Sequence, residues 1–233
     1  IEIINKNELK TFASYNFLKT MRAGVLVLGP LLAKYGTAKV SLPGGCSIGS
    51  RPIDLHLNAL KKMGANIKVK NGYIIASAKR GLKGCLIKFS KISVGATENI
   101  LIASCFSKGK TKLRNCASEP EVQDLINFLK KLGCKINQVG KRSIDVLGVE
   151  KLKPAVHSVI FDRIEAGTYI IAAALTNGAI KITNVDPKII STEINLLKKM
   201  GVKIIKKKNY IIVTSPKKIK SVNAKTKPYP GFP

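Results

Sequence analysis

Two residues in the segment "SLPGGCSIGSRPIDLH", Ser41 to His56, have the types and the spacing for chemistry: a thiol, Cys46, and a guanidinium, Arg51, five residues on. Glycines at 44, 45 and 49 let the backbone come close to a ligand. They also let the segment move in when substrate binds and withdraw afterwards. An arginine nearby lowers the pKa of a thiol, and its planar fork matches a phosphate with two parallel hydrogen bonds. The ordinary alternative is an inert cysteine in a glycine-rich turn; the adjoining arginine favours a working thiol. The other reactive types have blander contexts. His56 and His157 have no partner evident in the sequence and read as structural. Glu119, Glu121, Asp162 and Glu165 stand at expected helix starts, where capping and dipole compensation account for them. Cys85, Cys105, Cys116 and Cys134 fall in strand or helix contexts and are expected in the core. Five cysteines with no C-x-x-C pair argue against a disulfide framework or a zinc site, and for a reducing cytoplasm.

The elements that must position Cys46 are repeated along the chain. "LKKMG" at Leu60–Gly64 returns as "LKKLG" at Leu129–Gly133 and "LKKMG" at Leu197–Gly201, at spacings of 69 and 68 residues. Upstream, Gly36, Gly109 and Gly178 follow apolar, small-residue helices: "AGVLVLGPLLAKY", "ATENILIASCFSK" and "AGTYIIAAALTN". Each such helix is expected to end at a glycine of positive φ. A short strand follows, then an amphipathic helix closed by Lys-Lys and a C-cap glycine, the lysines complementing the dipole. Two strands joined by a turn such as Asn71-Gly72 complete the unit. The repeat is β-α-β-α-β-β, arranged about a pseudo-threefold axis. From landmark glycine to C-cap glycine the copies span 28, 24 and 23 residues, and the surplus falls around "PGGCSIGSR". The Cys46 segment is thus an insertion on a repeated scaffold, where function commonly resides.

Composition narrows the class. The chain has 233 residues, of which 45% are hydrophobic, so it is long and apolar enough for real cores. Its net charge is +28, from 35 lysines and 6 arginines among its basic residues. The lysines are spread along the chain, and the few aromatics (6%) are not interleaved with them as in single-strand binders. A solvated surface with lysine-rich codon usage fits better than a nucleic-acid face. The longest apolar runs are too short to span a bilayer, so no membrane role is expected. The chain opens without an initiator methionine and inside what reads as a strand, "IEII", as an internal piece of a longer protein would.

The cysteine segment resembles the active-site loop of the enolpyruvyl transferase family, in the branch that acts on UDP-N-acetylglucosamine. "TMRAGVLVLGPLLAKYG", "KISVGATENI", "SEPEVQDLINFLKKLG", "FDRIEAGTYIIAAAL" and "PYPGFP" resemble it too, over nearly the whole chain. The resemblance implies two inverted α/β barrel domains, each of three such repeats. It implies transfer of the enolpyruvyl group of phosphoenolpyruvate to the 3′-hydroxyl of UDP-N-acetylglucosamine, with release of phosphate. That reaction is the first committed step of peptidoglycan synthesis, in the cytoplasm, and needs no metal or organic cofactor. Cys46 would be the proton donor to the methylene carbon and the residue that fosfomycin modifies. Arg51 would sit near the phosphates, and Arg51, Pro52, Ile53, Asp54 and Leu55 would wall the uridine nucleotide. Lys91, Ser93, Val94 and Gly95 would form a second nucleotide segment, at a helix start whose N–H groups suit a diphosphate. Arg22 would be a further substrate-contacting arginine.

The resemblance also implies parts that lie outside this chain: a Lys-Asn pair near the N-terminus, an aspartate just after the "PYPGFP" match and further arginines. Residues 1–160 would then be an incomplete first domain of two full repeats, and 161–233 one repeat of the second. Such a piece would be inactive alone and would expose apolar faces. The rival readings are the shikimate-pathway enolpyruvyl transferase, a basic RNA-binding or RNA-processing protein on a related scaffold (the RNA 3′-phosphate cyclase type), and a non-catalytic paralogue. The cysteine segment and "SRPIDLH" argue against the first, and only the charge favours the second.

Overall fold

The computed structural model of the protein describes residues 1–4, 9–19, 21–42 and 53–232. Its chain divides into two compact units, Ile1–Ser118 with Leu125–His157, and Glu119–Asp124 with Ser158–Pro233. The first unit opens with β1 (Phe12–Ala13), the short helix α1 (Tyr15–Leu18), a 3-10 helix over Arg22–Val27, and α2 (Leu28–Tyr35). Next come β2 (Thr37–Ser41), α3 (Asp54–Lys62), β3 (Asn66–Lys70) and β4 (Tyr73–Ser77). The second copy follows as β5 (Leu86–Lys88), α4 (Val94–Ser104), β6 (Lys110–Arg114), α5 (Pro120–Lys131), β7 (Lys135–Gly140) and β8 (Ser143–Leu147). The other unit contains α6 (Arg163–Leu175), β9 (Ala179–Thr183), α7 (Ser191–Lys199), β10 (Lys203–Lys206) and β11 (Tyr210–Thr214).

The two complete copies make the same sheet, ordered β1-β2-β4-β3 and β5-β6-β8-β7, with the first strand parallel to its neighbour and the rest antiparallel. In the second unit β9, β11 and β10 pair in the corresponding way, and β9 has no partner on its other edge among the described residues. The copies share the register of their first antiparallel pair: Lys39 faces Ile75, Lys112 faces Asp145, and Lys181 faces Ile212.

The Lys-Lys-x-Gly signature folds alike each time. Gly64, Gly133 and Gly201 take φ of 96°, 101° and 96°. The following N–H groups of Ala65, Cys134 and Val202 reach back to the carbonyls of Leu60, Leu129 and Leu197 at 3.0–3.1 Å. That six-to-one bond with a left-handed glycine is the Schellman cap. The segment after each hairpin then returns to the same helix end: the Lys83, Lys153 and Lys220 amides donate to the Met63, Leu132 and Met200 carbonyls.

Burial follows the pattern of apolar residues. The inward side chains of the two sheets of the first unit, among them Val40, Ile74, Leu113 and Val146, are fully or almost fully buried. With α4, which buries Ala96, Ile100, Leu101 and Ala103, they form the core of this unit. The second unit has its own core, in which Ile170, Ile190, Ile194, Ile211 and Val213 are inaccessible. Helix α6 also shows Ile164, Ile171 and Leu175 at the surface, so an apolar stripe at helical spacing is exposed.

Four details depart from the sequence reading. The apolar helix of the first copy is broken into a 3-10 stretch and α2, because Pro30 has no N–H to bond the carbonyl one turn back. In the second unit the left-handed residue is Asn177 at φ 52°, not Gly178; the asparagine side chain tolerates that region. Gly36 and Gly109 do take positive φ, but Gly109 follows the end of α4 by five residues instead of capping it. Cys105, Cys116 and Cys134 are buried, whereas Cys85 is only partly so.

Candidate functional site

Two of the segments singled out by sequence, residues 53–55 and 93–95, start helices that adjoin in the first unit. Helix α3 starts at Asp54 with Ile53 as its cap residue, at φ −110° and ψ 7°, and no side chain bonds its first turn there. Asp54 is exposed in the first turn, where a carboxylate complements the positive end of the helix. Helix α4 starts at Val94 behind Ser93, whose hydroxyl accepts from the Ala96 amide at 3.2 Å. The first bond within that helix is from the Thr97 amide to the Ser93 carbonyl, so Val94 and Gly95 present their N–H groups before the ladder begins. Lys91 is exposed two residues ahead of the cap. A cationic side chain beside a helix start is a chemical match for phosphate.

These two starts adjoin. A Cβ placed on Gly95, in the first turn of α4, would lie 3.5 Å from Cε1 of His56, the third residue of α3, and 4.0 Å from Leu26 of the 3-10 helix. His56 of α3 thus meets Gly95 of α4, and Leu26 of the 3-10 helix that begins at Arg22 lies against the same turn. Cys46, Arg51, Pro52 and the side chain of Arg22 lie outside the described residues.

A residue the sequence reading passed over holds the three elements together. Asn99 of α4 is inaccessible to solvent. Its carbonyl oxygen accepts from the Gly29 amide in the first turn of α2 at 2.9 Å. Its amide nitrogen donates to the Val25 carbonyl at 3.1 Å and meets His56 Nδ1 at 3.0 Å. Glycine at 29 is required by this approach, since a Cβ there would stand 2.1 Å from Asn99 Oδ1 and 2.7 Å from its backbone oxygen. His56, read from the sequence as structural, is buried and bonded. The signal in the sequence was an uncharged polar residue inside the apolar run "ATENILIASC", which demands a buried partner.

Two ionic groups lie elsewhere. In the second unit Arg163, buried at the start of α6, pairs with both carboxylate oxygens of Glu121 at 3.2 and 3.1 Å, and its guanidinium lies 5.5 Å from the ring centre of Tyr229. Burial works against its charge, but Glu121, with Glu193 and Glu119, outweighs it and raises its pKa. Asp162 caps the same helix, accepting from the Ile164 and Glu165 amides. Glu121 is thus a bidentate ion-pair partner rather than a mere dipole charge. In the first unit Asp145 takes Lys110 and Arg114, both at 2.8 Å. The Lys110 bond, aided by Arg114 and opposed by burial, holds its carboxyl below the usual range. Among the described residues no group of three or more His, Cys, Asp or Glu is arranged to hold a metal, and no helix is long and apolar enough to cross a membrane.

Comparison with known proteins gives these observations a family. The profile of EPSP synthase (3-phosphoshikimate 1-carboxyvinyltransferase) matches residues 1–233. A UDP-N-acetylglucosamine 1-carboxyvinyltransferase from Pelagibacter ubique is 62% identical over all of this chain and 56% of its own length. Another of that name, from Geotalea uraniireducens, is 52% identical over 95% of this chain and 53% of its own length. The chain therefore spans little more than half of these relatives. Among solved structures, the enolpyruvyl transferase NikO from Streptomyces tendae superimposes with a TM-score of 0.75 at 23% identity, covering 89% of this chain and 50% of that one. EPSP synthase from Acinetobacter baumannii superimposes with a TM-score of 0.61 at 20% identity, covering 83% and 46%. The repeated sheets and helices are the enolpyruvyl transferase fold, and the chain belongs to the EPSP synthase family of carboxyvinyltransferases.

Proposed function

We propose that the protein carrying this chain transfers the enolpyruvyl group of phosphoenolpyruvate to the 3′-hydroxyl of UDP-N-acetylglucosamine. The observation that carries this is the 62% identity, over the whole chain, to a relative named for that reaction. The adjoining starts of α3 and α4 support it, because two helix N-termini with a lysine beside them suit a nucleotide diphosphate. Ile53, Asp54 and Leu55 with Arg51 and Pro52 wall the uridine nucleotide. Lys91, Ser93, Val94 and Gly95 meet its phosphates, and Arg22 is a further substrate-contacting arginine. The 3′-hydroxyl oxygen adds to C2 of phosphoenolpyruvate, its proton passing to a carboxylate of the full-length protein, while Cys46 gives its proton to C3. Loss of phosphate and of a proton from the tetrahedral intermediate then leaves the enol ether. Cationic side chains stabilise the developing charge. The reaction belongs to the cytoplasm and to the first committed step of peptidoglycan synthesis, and residues 1–160 and 161–233 are parts of two successive domains. The shikimate-pathway reading is weaker: the relatives at 48–62% identity carry the UDP-N-acetylglucosamine name, while the solved EPSP synthase is similar in fold at 20%.

The test uses the full-length protein. Phosphate release from phosphoenolpyruvate should require UDP-N-acetylglucosamine, and fosfomycin should label Cys46 faster when the nucleotide sugar is present. A folded full-length protein that is never labelled, or that prefers shikimate 3-phosphate, overturns the proposal.

A further inference from the structure

We infer that Asn99 is a positioning residue that locks His56 as its Nε2–H tautomer and so aims a hydrogen-bond donor at the first turn of α4. The inference rests on the nucleotide reading of that turn and deepens it.

An amide side chain can ordinarily be flipped, and a histidine tautomer is then a free choice. Here the backbone removes the choice. The Gly29 N–H is a donor, so the Asn99 atom 2.9 Å from it must be the oxygen. The Val25 carbonyl is an acceptor, so the Asn99 atom 3.1 Å from it must be the NH₂. That nitrogen has one hydrogen left, and His56 Nδ1 is 3.0 Å away. Nδ1 therefore accepts and carries no proton, and the ring proton sits on Nε2. The Cε1–Nε2 edge of the ring lies beside Gly95, where a Cβ would stand 3.5 Å from Cε1 and 3.8 Å from Nε2. Gly95 belongs to the helix start proposed above to meet the diphosphate. All three partners are buried or nearly so, with Asn99 at 0% and His56 at 6% exposure, so water does not offer the ring an alternative acceptor at Nδ1. A neutral donor held at a fixed angle costs no reorganisation when an anion arrives, which is how preorganised donors work best.

The experiment is long-range proton–nitrogen NMR on the full chain labelled with ¹⁵N-histidine at pH 7.5, with His157→Gln to assign the two rings. The expected spectrum shows His56 with a bare Nδ1 and a protonated Nε2. A protonated Nδ1 in the unsubstituted chain overturns the inference. Asn99→Asp keeps the acceptor for Gly29 but offers Nδ1 no N–H, so its His56 signal should switch to a protonated Nδ1. An unchanged signal in the folded variant overturns the role of Asn99. Should that variant not fold, the unsubstituted spectrum still decides the tautomer. Titration with UDP should move the Nε2–H resonance, and Asn99→Asp should weaken UDP binding about tenfold. UDP that binds without moving the resonance overturns the link to the site. No UDP binding beside an intact Nε2–H signal refutes the nucleotide reading while the tautomer lock stands.

Discussion

Replacing Gly29 by alanine should unfold the first unit far more easily than its chemistry suggests. In an ordinary helix the change is favourable by about 0.5–1 kcal/mol, through backbone entropy. At position 29 the new methyl carbon would stand 2.1 Å from Asn99 Oδ1, 2.7 Å from the Asn99 backbone oxygen and 3.2 Å from the Ala103 methyl. The side-chain oxygen can rotate away; the backbone oxygen cannot, so α2 and α4 must separate. Overpacking of this kind costs about 1–3 kcal/mol. The displaced Asn99 abandons the Gly29 N–H in an interior without water, which costs about 1–3 kcal/mol more. Set against the propensity gain, the net loss is roughly 1–5 kcal/mol, centred near 3. Gly95→Ala is the control, because its Cβ would meet only ordinary contacts at 3.5 Å and beyond. Urea unfolding followed by circular dichroism, with amide exchange in α4 as the local readout, compares the two. Equal stability of Gly29→Ala and Gly95→Ala would refute the reasoning, since it would mean that α2 and α4 do not rely on the close approach at Asn99.

Asp145→Asn should cost about 1 kcal/mol at pH 7, a surface-like value because Lys110 and Arg114 are partly exposed. Since the folded pKa of Asp145 is depressed, its contribution is present above the usual carboxylate pKa of about 4 and is lost as pH falls below it. The gap between variant and parent in denaturant midpoint should therefore close on acidification; a constant gap would show that the charge is not the cause. Arg163→Lys should lower the stability of the second unit by about 1–2 kcal/mol, because one ammonium cannot span the two Glu121 oxygens as the planar fork does. An unchanged melting profile would count against that. Burial pushes the Cys116 thiol up to about 12, and the bond to Cys134, with burial, raises Cys105 as well. Both should resist iodoacetamide at pH 8 in the native chain and react after denaturation, read as modified peptides by mass spectrometry; native labelling would mean the core opens readily.

What the sequence made legible is what the chain encodes locally. The Schellman glycines, the Lys-Lys helix ends and the Asn71-Gly72 turn, with φ of 51° and 74°, need only neighbours within a few residues. The period near 69 residues multiplied those signals by three. What stayed hidden depends on partners far along the chain. Asn99 finds Gly29 and Val25 at separations of 70 and 74 residues, and His56 at 43. Nothing adjacent to Asn99 says which backbone groups lack a donor or acceptor. Glu121 likewise read as a helix-start charge, because its partner Arg163 is 42 residues away. Cys46 and Arg51 stood out by type and spacing, but nothing in the geometry of the described residues bears on them.

The first copy also differs from the other two at the end of its central strand, β2. Between that strand and the amphipathic helix the second copy has 5 residues, 115–119, and the second unit has 7, 184–190. The first copy has 12, 42–53. In the two short linkers the residue after the strand is an asparagine at positive φ, Asn115 at 57° and Asn184 at 58°. The residue after it, Cys116 or Val185, then returns its N–H to the neighbouring hairpin at Arg142 or Asn209. In the first copy that hairpin bond, to Gly72, is made by Leu42, the first residue after the strand. Leucine has no local hydrogen bond to offset a left-handed conformation, and the first linker lacks the extra asparagine altogether. The copies with a left-handed asparagine turn at once towards the next helix. The copy without one has ten further residues between Leu42 and Ile53, 43–52, among them glycine, cysteine and arginine. The left-handed asparagine thus marks the two short linkers, on strands that are otherwise paired in the same register.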